Sequence, residues 1–192
     1  MDVGLINPPY SQKDYVELEF VEKLLEFLIP RGLGIAVVPM SCAIGTKFRD
    51  VRERLFKKHT LKAVFSMPDD IFYPTGTNVC VMVWEAHQPH DSKQKTFFGY
   101  YKNDGFEKRK KLGRIDVNNT WEDIKEKWLN LYFNKEIIIG LSCMKEVTHK
   151  DEWLCEAYLE TDYSQLTQEN FEQTIKDYLA YLIKNGELNE IK

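Results

Sequence analysis

A chain of 192 residues with 43% hydrophobic content can bury one sizeable core, which excludes disorder, and its net charge of -4 excludes holding nucleic acid by bulk electrostatics. The four cysteines, Cys42, Cys80, Cys143 and Cys155, form no CxxC pair, which excludes a zinc ribbon or a small disulfide scaffold and leaves reduced, packed thiols. The N-terminus lacks the pattern of a cleavable leader and no stretch approaches about eighteen apolar residues, so the expectation is a soluble, cytoplasmic protein with no membrane partner and no metal.

Residues 3–6 are a short apolar run stopped by Pro8 and Pro9, which predicts a buried parallel strand. Over residues 16–29, Val16, Phe20, Val21, Leu24, Leu25 and Leu28 recur at helical spacing, and Pro30-Arg31-Gly32 ends that helix. Residues 33–38 form a second apolar run, closed by Pro39. Phe48, Val51, Arg52 and Leu55 suit a further helix whose basic last turn, Lys57-Lys58-His59, complements its dipole, and residues 61–65 make a third strand. This alternation predicts a right-handed parallel α/β sheet. The loop at 69–78 is too short for a covering helix, so the next strand, 79–84, is expected to run antiparallel to its predecessor.

Beyond residue 86 the character changes. Residues 87–94 are polar and linker-like, 96–101 are aromatic and strand-like, and 107–114 are a charge run. Two amphipathic helices follow: one carries Trp121, Ile124, Trp128 and Leu131, and the other starts at Thr167 as N-cap and carries Phe171, Ile175, Tyr178, Leu179 and Leu182 before Gly186. The expected division is 1–86, then a strand and linker region at 87–115, then a helical C-terminal extension at 116–192. His59, His87, His90 and His149 have no partner at ligand spacing and are expected at the surface. Lys108, Arg109, Lys110, Lys111 and Arg114, near the aromatic Phe97, Phe98, Tyr100 and Tyr101, suit either a solvated face or phosphate contacts; such runs are more often solvated.

Asn7-Pro8-Pro9-Tyr10 directly follows the first strand, where open parallel sheets bind ligands. A chance match to Asn-Pro-Pro-aromatic in a chain of this length has odds of roughly one in a thousand. An amine conjugated to a heteroaromatic ring is planar and poorly nucleophilic. Two acceptors aimed at its hydrogens, the side-chain oxygen of Asn7 and the backbone carbonyl of Pro8, would pull it toward a tetrahedral geometry. Pro8 and Pro9 fix the backbone so that this carbonyl stays in place. The competing explanation is that the prolines merely end a strand while Asn7 caps a turn and Tyr10 covers the sheet edge; it does not explain why all four coincide there.

Asn-Pro-Pro-Tyr resembles the catalytic signature of S-adenosylmethionine-dependent amino-methyltransferases, and the downstream pattern is similar to the adenine-specific DNA methyltransferase (modification) subunits of type I and related restriction-modification systems. The supporting segments are Arg31-Gly32-Leu33-Gly34, Val37-Val38-Pro39, Arg52 with Leu55, Met67-Pro68 through Phe72, Thr75-Gly76-Thr77-Asn78, and the tail from Asp151 to Tyr158. The resemblance implies a Rossmann-like fold of which this chain carries the C-terminal half, with 1–86 as the base-binding part. It implies Asn7, Pro8, Pro9 and Tyr10 as catalytic residues, with Asn7 also bordering the cofactor S-adenosylmethionine. Tyr10 would stack on a flipped adenine of double-stranded DNA, and Phe72 and Tyr73 would face it from the other side or form a hydrophobic plug under their loop. Thr75, Gly76 and Asn78 would shape that pocket or simply make a turn. The implied partners are a specificity subunit, a restriction subunit, and the N-terminal methyltransferase half, because only six residues precede Asn7 and no glycine-rich donor loop lies among them. The isolated chain is therefore expected to be inactive, and the unpaired edge of its first strand predicts a homo-oligomer. Two alternatives stay open: a protein glutamine or RNA amino-methyltransferase, and a non-catalytic docking module for a specificity subunit.

Overall fold

The computed structural model describes residues 1–10, 15–72, 75–160 and 167–185. Its contacts divide the chain into two units, Met1–Glu160 and Thr161–Lys192.

In the first unit, chain order runs β1 (Val3–Ile6), α1 (Glu17–Glu26), β2 (Leu33–Pro39), a short α2 (Ser41–Ile44), a 3-10 turn at Thr46–Phe48, α3 (Arg49–Lys58), β3 (Thr60–Ser66) and β4 (Val79–Glu85). Then come β5 (Lys95–Tyr100), β6 (Glu107–Arg109), β7 (Gly113–Ile115), α4 (Trp121–Asn134), β8 (Ser142–Glu146) and a 3-10 turn at Cys155–Ala157. The strands at 3–6, 33–38, 61–65 and 79–84 thus form where the apolar runs placed them.

β1, β2, β4, β3, β5 and β8 make one sheet in that order, and β6 with β7 makes a separate two-stranded ribbon. β1 and β2 are parallel, from Val3 opposite Leu33 to Ile6 opposite Ala36. β4 is antiparallel to its predecessor β3, as expected, but it also pairs antiparallel with β2. It therefore lies between β2 and β3, so these are not neighbours, contrary to the simple parallel progression. β5 joins β3 in parallel and β8 closes the far edge antiparallel to β5. β1, β2, β3 and β5 accordingly point one way and β4 and β8 the other. The insertion follows from burial: Val79, Cys80, Met82, Val83 and Trp84 of β4 are all buried, and only a central strand hides both faces.

α1 and α3 cover one face. Leu18, Val21 and Leu25 of α1, Leu28 just beyond it, and Val51 and Leu55 of α3 pack with Ala36, Val38, Leu61, Met82 and Trp84. The close approach of α1 requires Gly34, where a Cβ would stand 2.3 Å from Leu25 Cδ2. Trp153 closes the same core, stacked 4.7 Å from Phe56. On the opposite face α4 covers only the β3–β5 side: Tyr101 stacks on Trp128 at 4.5 Å and donates its hydroxyl to the Trp128 carbonyl at 2.7 Å. Among the described residues nothing covers the β1–β2 side of that face, with Val3 55% and Leu5 71% exposed beside an apolar groove of about 400 Å³.

In the second unit, α5 (Gln168–Asn185) begins as expected at Thr167, whose Oγ1 accepts the backbone N–H of Asn170 at 3.3 Å. No described helix is long and apolar enough to cross a membrane.

His59 and His90 correct the surface expectation. His59 is fully buried, and its Nδ1 accepts the backbone N–H of His87 at 3.0 Å. His90 stacks 4.0 Å from Phe56. Burial, with the neighbouring His87 and Lys58, pushes His59 down to about 4. The unfolded chain then binds a proton near pH 6.5 that the folded chain refuses until about pH 4, so this contribution to stability is complete above about pH 6.5 and is lost as pH falls toward 4. Thermal unfolding should show a smaller loss of Tm between about pH 7 and about pH 5 in His59→Asn, which keeps an acceptor but cannot titrate, than in the wild type. Equal losses would mean that His59 does not govern the acid response.

Candidate functional site

β1 ends at Ile6, just before Asn7, and cannot resume because Pro8 and Pro9 have no N–H to donate to β2. The prolines direct the chain across the ends of the parallel strands, leaving Asn7 and Pro9 exposed, Pro8 buried and Tyr10 half-buried. The Tyr10 hydroxyl lies 2.7 Å from Asn7 Oδ1 and 3.3 Å from the Val37 carbonyl at the end of β2. With one hydrogen to give, it favours the shorter contact, which fixes the Asn7 amide with its oxygen inward. Burial, aided by the Cys42 and Cys80 thiols and the Glu17 carboxylate, pushes the Tyr10 hydroxyl up to about 12, so it stays neutral and remains a donor.

Phe72 arrives from the loop between β3 and β4 and meets Tyr10 edge-on, with centroids 6.2 Å apart and planes at 86°. The Phe72 carbonyl accepts the backbone N–H of Thr75 at 2.9 Å and its hydroxyl at 2.6 Å, a turn that sets the loop. Gly76 continues that turn at φ +63 and is exposed, while the Asn78 carbonyl accepts the Met40 N–H at 2.9 Å, tying the loop to the end of β2. Asn7, Tyr10 and Phe72 thus come together from separate segments; Tyr73 lies outside the described residues.

Several supports escaped the sequence. Ser66, at the end of β3, donates to Glu156 at 2.5 Å, bringing the tail back to the site end of the sheet. Lys102 pairs with Asp69 and lies 3.8 Å from Glu156. The Arg114 guanidinium forks onto Asp104 with two 2.8 Å bonds, and its Nε lies 2.8 Å from Asp70. Asp69 and Asp70 precede Phe72 in the same loop, so both cations anchor the segment that carries its ring. Only acid and base spacing hints at these pairs, and spacing cannot match partners so distant in sequence.

Arg52, 1% exposed, donates to the carbonyls of Ala43 at 2.5 Å, Gly45 at 3.2 Å and Asp151 at 3.1 Å, with the Trp153 ring 5.2 Å away. It locks the segment after β2 against the tail. Sequence reading placed Arg52 in a motif but not in this role.

A sheet whose parallel strand ends in Asn-Pro-Pro-Tyr, with a second aromatic facing the tyrosine, defines the class as methyltransferase-like α/β. The model of the N-6 DNA Methylase family matches residues 1–182, and the chain belongs to that family. It is 29% identical over 189 residues to the type II restriction enzyme and methyltransferase RM.BcgI of Heyndrickxia coagulans, covering 92% of this chain and 29% of that protein. To the type I restriction enzyme MjaVII methylase subunit of Methanocaldococcus jannaschii it is 26% identical over 127 residues, 60% of this chain and 22% of that one. The fold is similar to the type I restriction-modification methyltransferase subunit from Streptococcus thermophilus, with TM-score 0.61 at 19% identity over 76% of this chain and 34% of that chain. The chain spans less than a third of the length of these curated relatives.

Replacing Arg52 by Met should lower stability by about 3 kcal/mol, because buried charge-assisted bonds to three carbonyls are lost together. Chemical denaturation is the measure, and a change under about 0.5 kcal/mol would show that the clamp is dispensable.

Proposed function

We propose that this chain forms the base-binding half of a DNA adenine-N6 methyltransferase of a restriction-modification system. The observation that carries this reading is the Tyr10 hydroxyl held on Asn7 Oδ1 at 2.7 Å at the end of β1, with Phe72 edge-on to the same ring. An amide oxygen has two lone pairs. The Tyr10 bond takes one and orients the group, leaving the other for a hydrogen of the target amine. The Pro8 carbonyl accepts the second hydrogen, and the two acceptors together favour the tetrahedral amine that develops in the transition state. Tyr10 and Phe72 offer aromatic surface to an adenine turned out of the duplex.

S-adenosylmethionine, when bound, would supply the electrophilic methyl group. The residues present fit the acceptor side of such a site, with Asn7 exposed at its rim. They do not fit the donor cradle: among the described residues no strand runs into a glycine-rich turn, and Gly34 lies within β2 against Leu25. We therefore assign the cradle to residues outside these 192, and with it a strand that pairs with the open edge of β1. A specificity subunit supplying sequence recognition suits a chain whose own net charge is -4.

Two measurements test the reading. In the complete methyltransferase, Asn7→Ala should lower kcat roughly a hundredfold or more while DNA affinity changes little, since the lost acceptor acts mainly in the transition state. Turnover near the wild-type value in a folded variant would reduce Asn7 to a turn residue. Calorimetric titration of the 192-residue polypeptide alone should show no S-adenosylmethionine binding, and one-to-one micromolar binding would place a donor cradle within it.

A further inference from the structure

Residues 107–114 hold five basic side chains and one acidic one in a chain of net charge -4. They fold as the β6–β7 ribbon, with Lys108 opposite Arg114 and Arg109 opposite Gly113. The turn is closed by the Leu112 N–H on the Arg109 carbonyl at 3.2 Å, with Lys111 at φ +66 and Gly113 at φ +75 in the left-handed region. Lys110, Lys111 and Leu112 therefore form the tip. All three are exposed, Leu112 by 68%.

The base of the ribbon is fixed. The Arg114 guanidinium lies 5.5 Å from the Phe106 ring, which meets Trp121 edge-on at 5.7 Å. The same guanidinium binds Asp104 and reaches Asp70, in the loop that carries Phe72. The ribbon thus emerges beyond the carboxyl end of β5, the end at which Asn7 and Tyr10 lie, and its root is joined to the aromatic wall of the site.

The charge of residues 107–114 is mostly of one sign, and a leucine stands exposed at the apex. Here the acid, Glu107, is taken up by Arg109 at 2.7 Å, and the lysines of the tip flank an apolar side chain. Holding a base outside a duplex needs contacts to the neighbouring phosphates, and an acidic chain must make them with a local positive element.

We propose that the β6–β7 ribbon is a DNA-backbone contact beside the base site, with Lys110 and Lys111 on phosphates and Leu112 entering the groove at the tip. This rests on the methyltransferase reading and adds to it the surface that grips the duplex. Arg114, already forked onto Asp104, positions the ribbon and does not itself bind phosphate.

The test is the salt dependence of binding of a fluorescein-labelled DNA duplex to the complete methyltransferase, followed by anisotropy. Each phosphate contact contributes about 0.9 to the slope of log K against log salt. The double variant Lys110→Ser with Lys111→Asn, the latter keeping a residue tolerant of positive φ, should lose about 1.8 of that slope, with the affinity loss greatest at low salt. Both substitutions are at an exposed turn, and an unchanged Tm confirms the fold. Lys57→Ser, which removes an exposed lysine at the opposite end of the sheet, should leave the slope unaltered. Equal slopes in the wild type and the double variant overturn the assignment while the methyltransferase reading, tested separately through Asn7, stands. A wild type with no affinity for duplex DNA overturns that reading, and the ribbon's role with it.

Discussion

The pairing of β4 with both β2 and β3 is the constraint on which the rest of the structure depends. A strand buried on both faces has no tolerance for slippage, because a shift of one residue would swap Met82 and Trp84 with Val81 and Val83 between unlike faces. Once β4 is in place, the ends of β1, β2, β3 and β5 share one side of the sheet. The loop from β3 to β4 must also cross that side, bringing Phe72 over Tyr10. The site is thus a consequence of sheet order.

Order alone would leave the loop free, and the ion pairs restrain it. Lys102 holds Asp69 while Arg114 joins Asp70 to Asp104. The pairs to the exposed carboxylates Asp69 and Asp70 add little to global stability, but they restrict where the loop can sit, whereas the Arg114–Asp104 fork is buried. The tail contributes from the other direction, through Glu156 on Ser66 and through the Arg52 clamp on the Asp151 carbonyl. Elements far apart in the chain therefore converge on the same end of the sheet.

The two faces of the sheet are unequal. α1, α3 and the tail from Trp153 to Leu159 pack on one, whereas α4 reaches only the β3–β5 side of the other and leaves Val3 and Leu5 exposed on β1. Among the described residues no strand pairs with the outer edge of β1, which makes it an apolar edge strand.

The sequence by itself determined the elements: the apolar runs at 3–6, 33–38, 61–65 and 79–84, the helix-period residues of α1, α3 and α4, the Thr167 cap, and the Asn7 to Tyr10 motif at a strand end. These are local properties, set by side-chain periodicity and by the backbone limits of proline. The sequence also carried the antiparallel sense of β4, because a short loop cannot cross over. Only the tertiary structure decided that β4 enters between β2 and β3, that β8 joins β5, and that a charge run is a ribbon. It also decided that His59 is buried and that Arg52 spans three carbonyls. Each of these depends on which distant surfaces exclude water from one another, and periodicity within a segment holds no information about its partner.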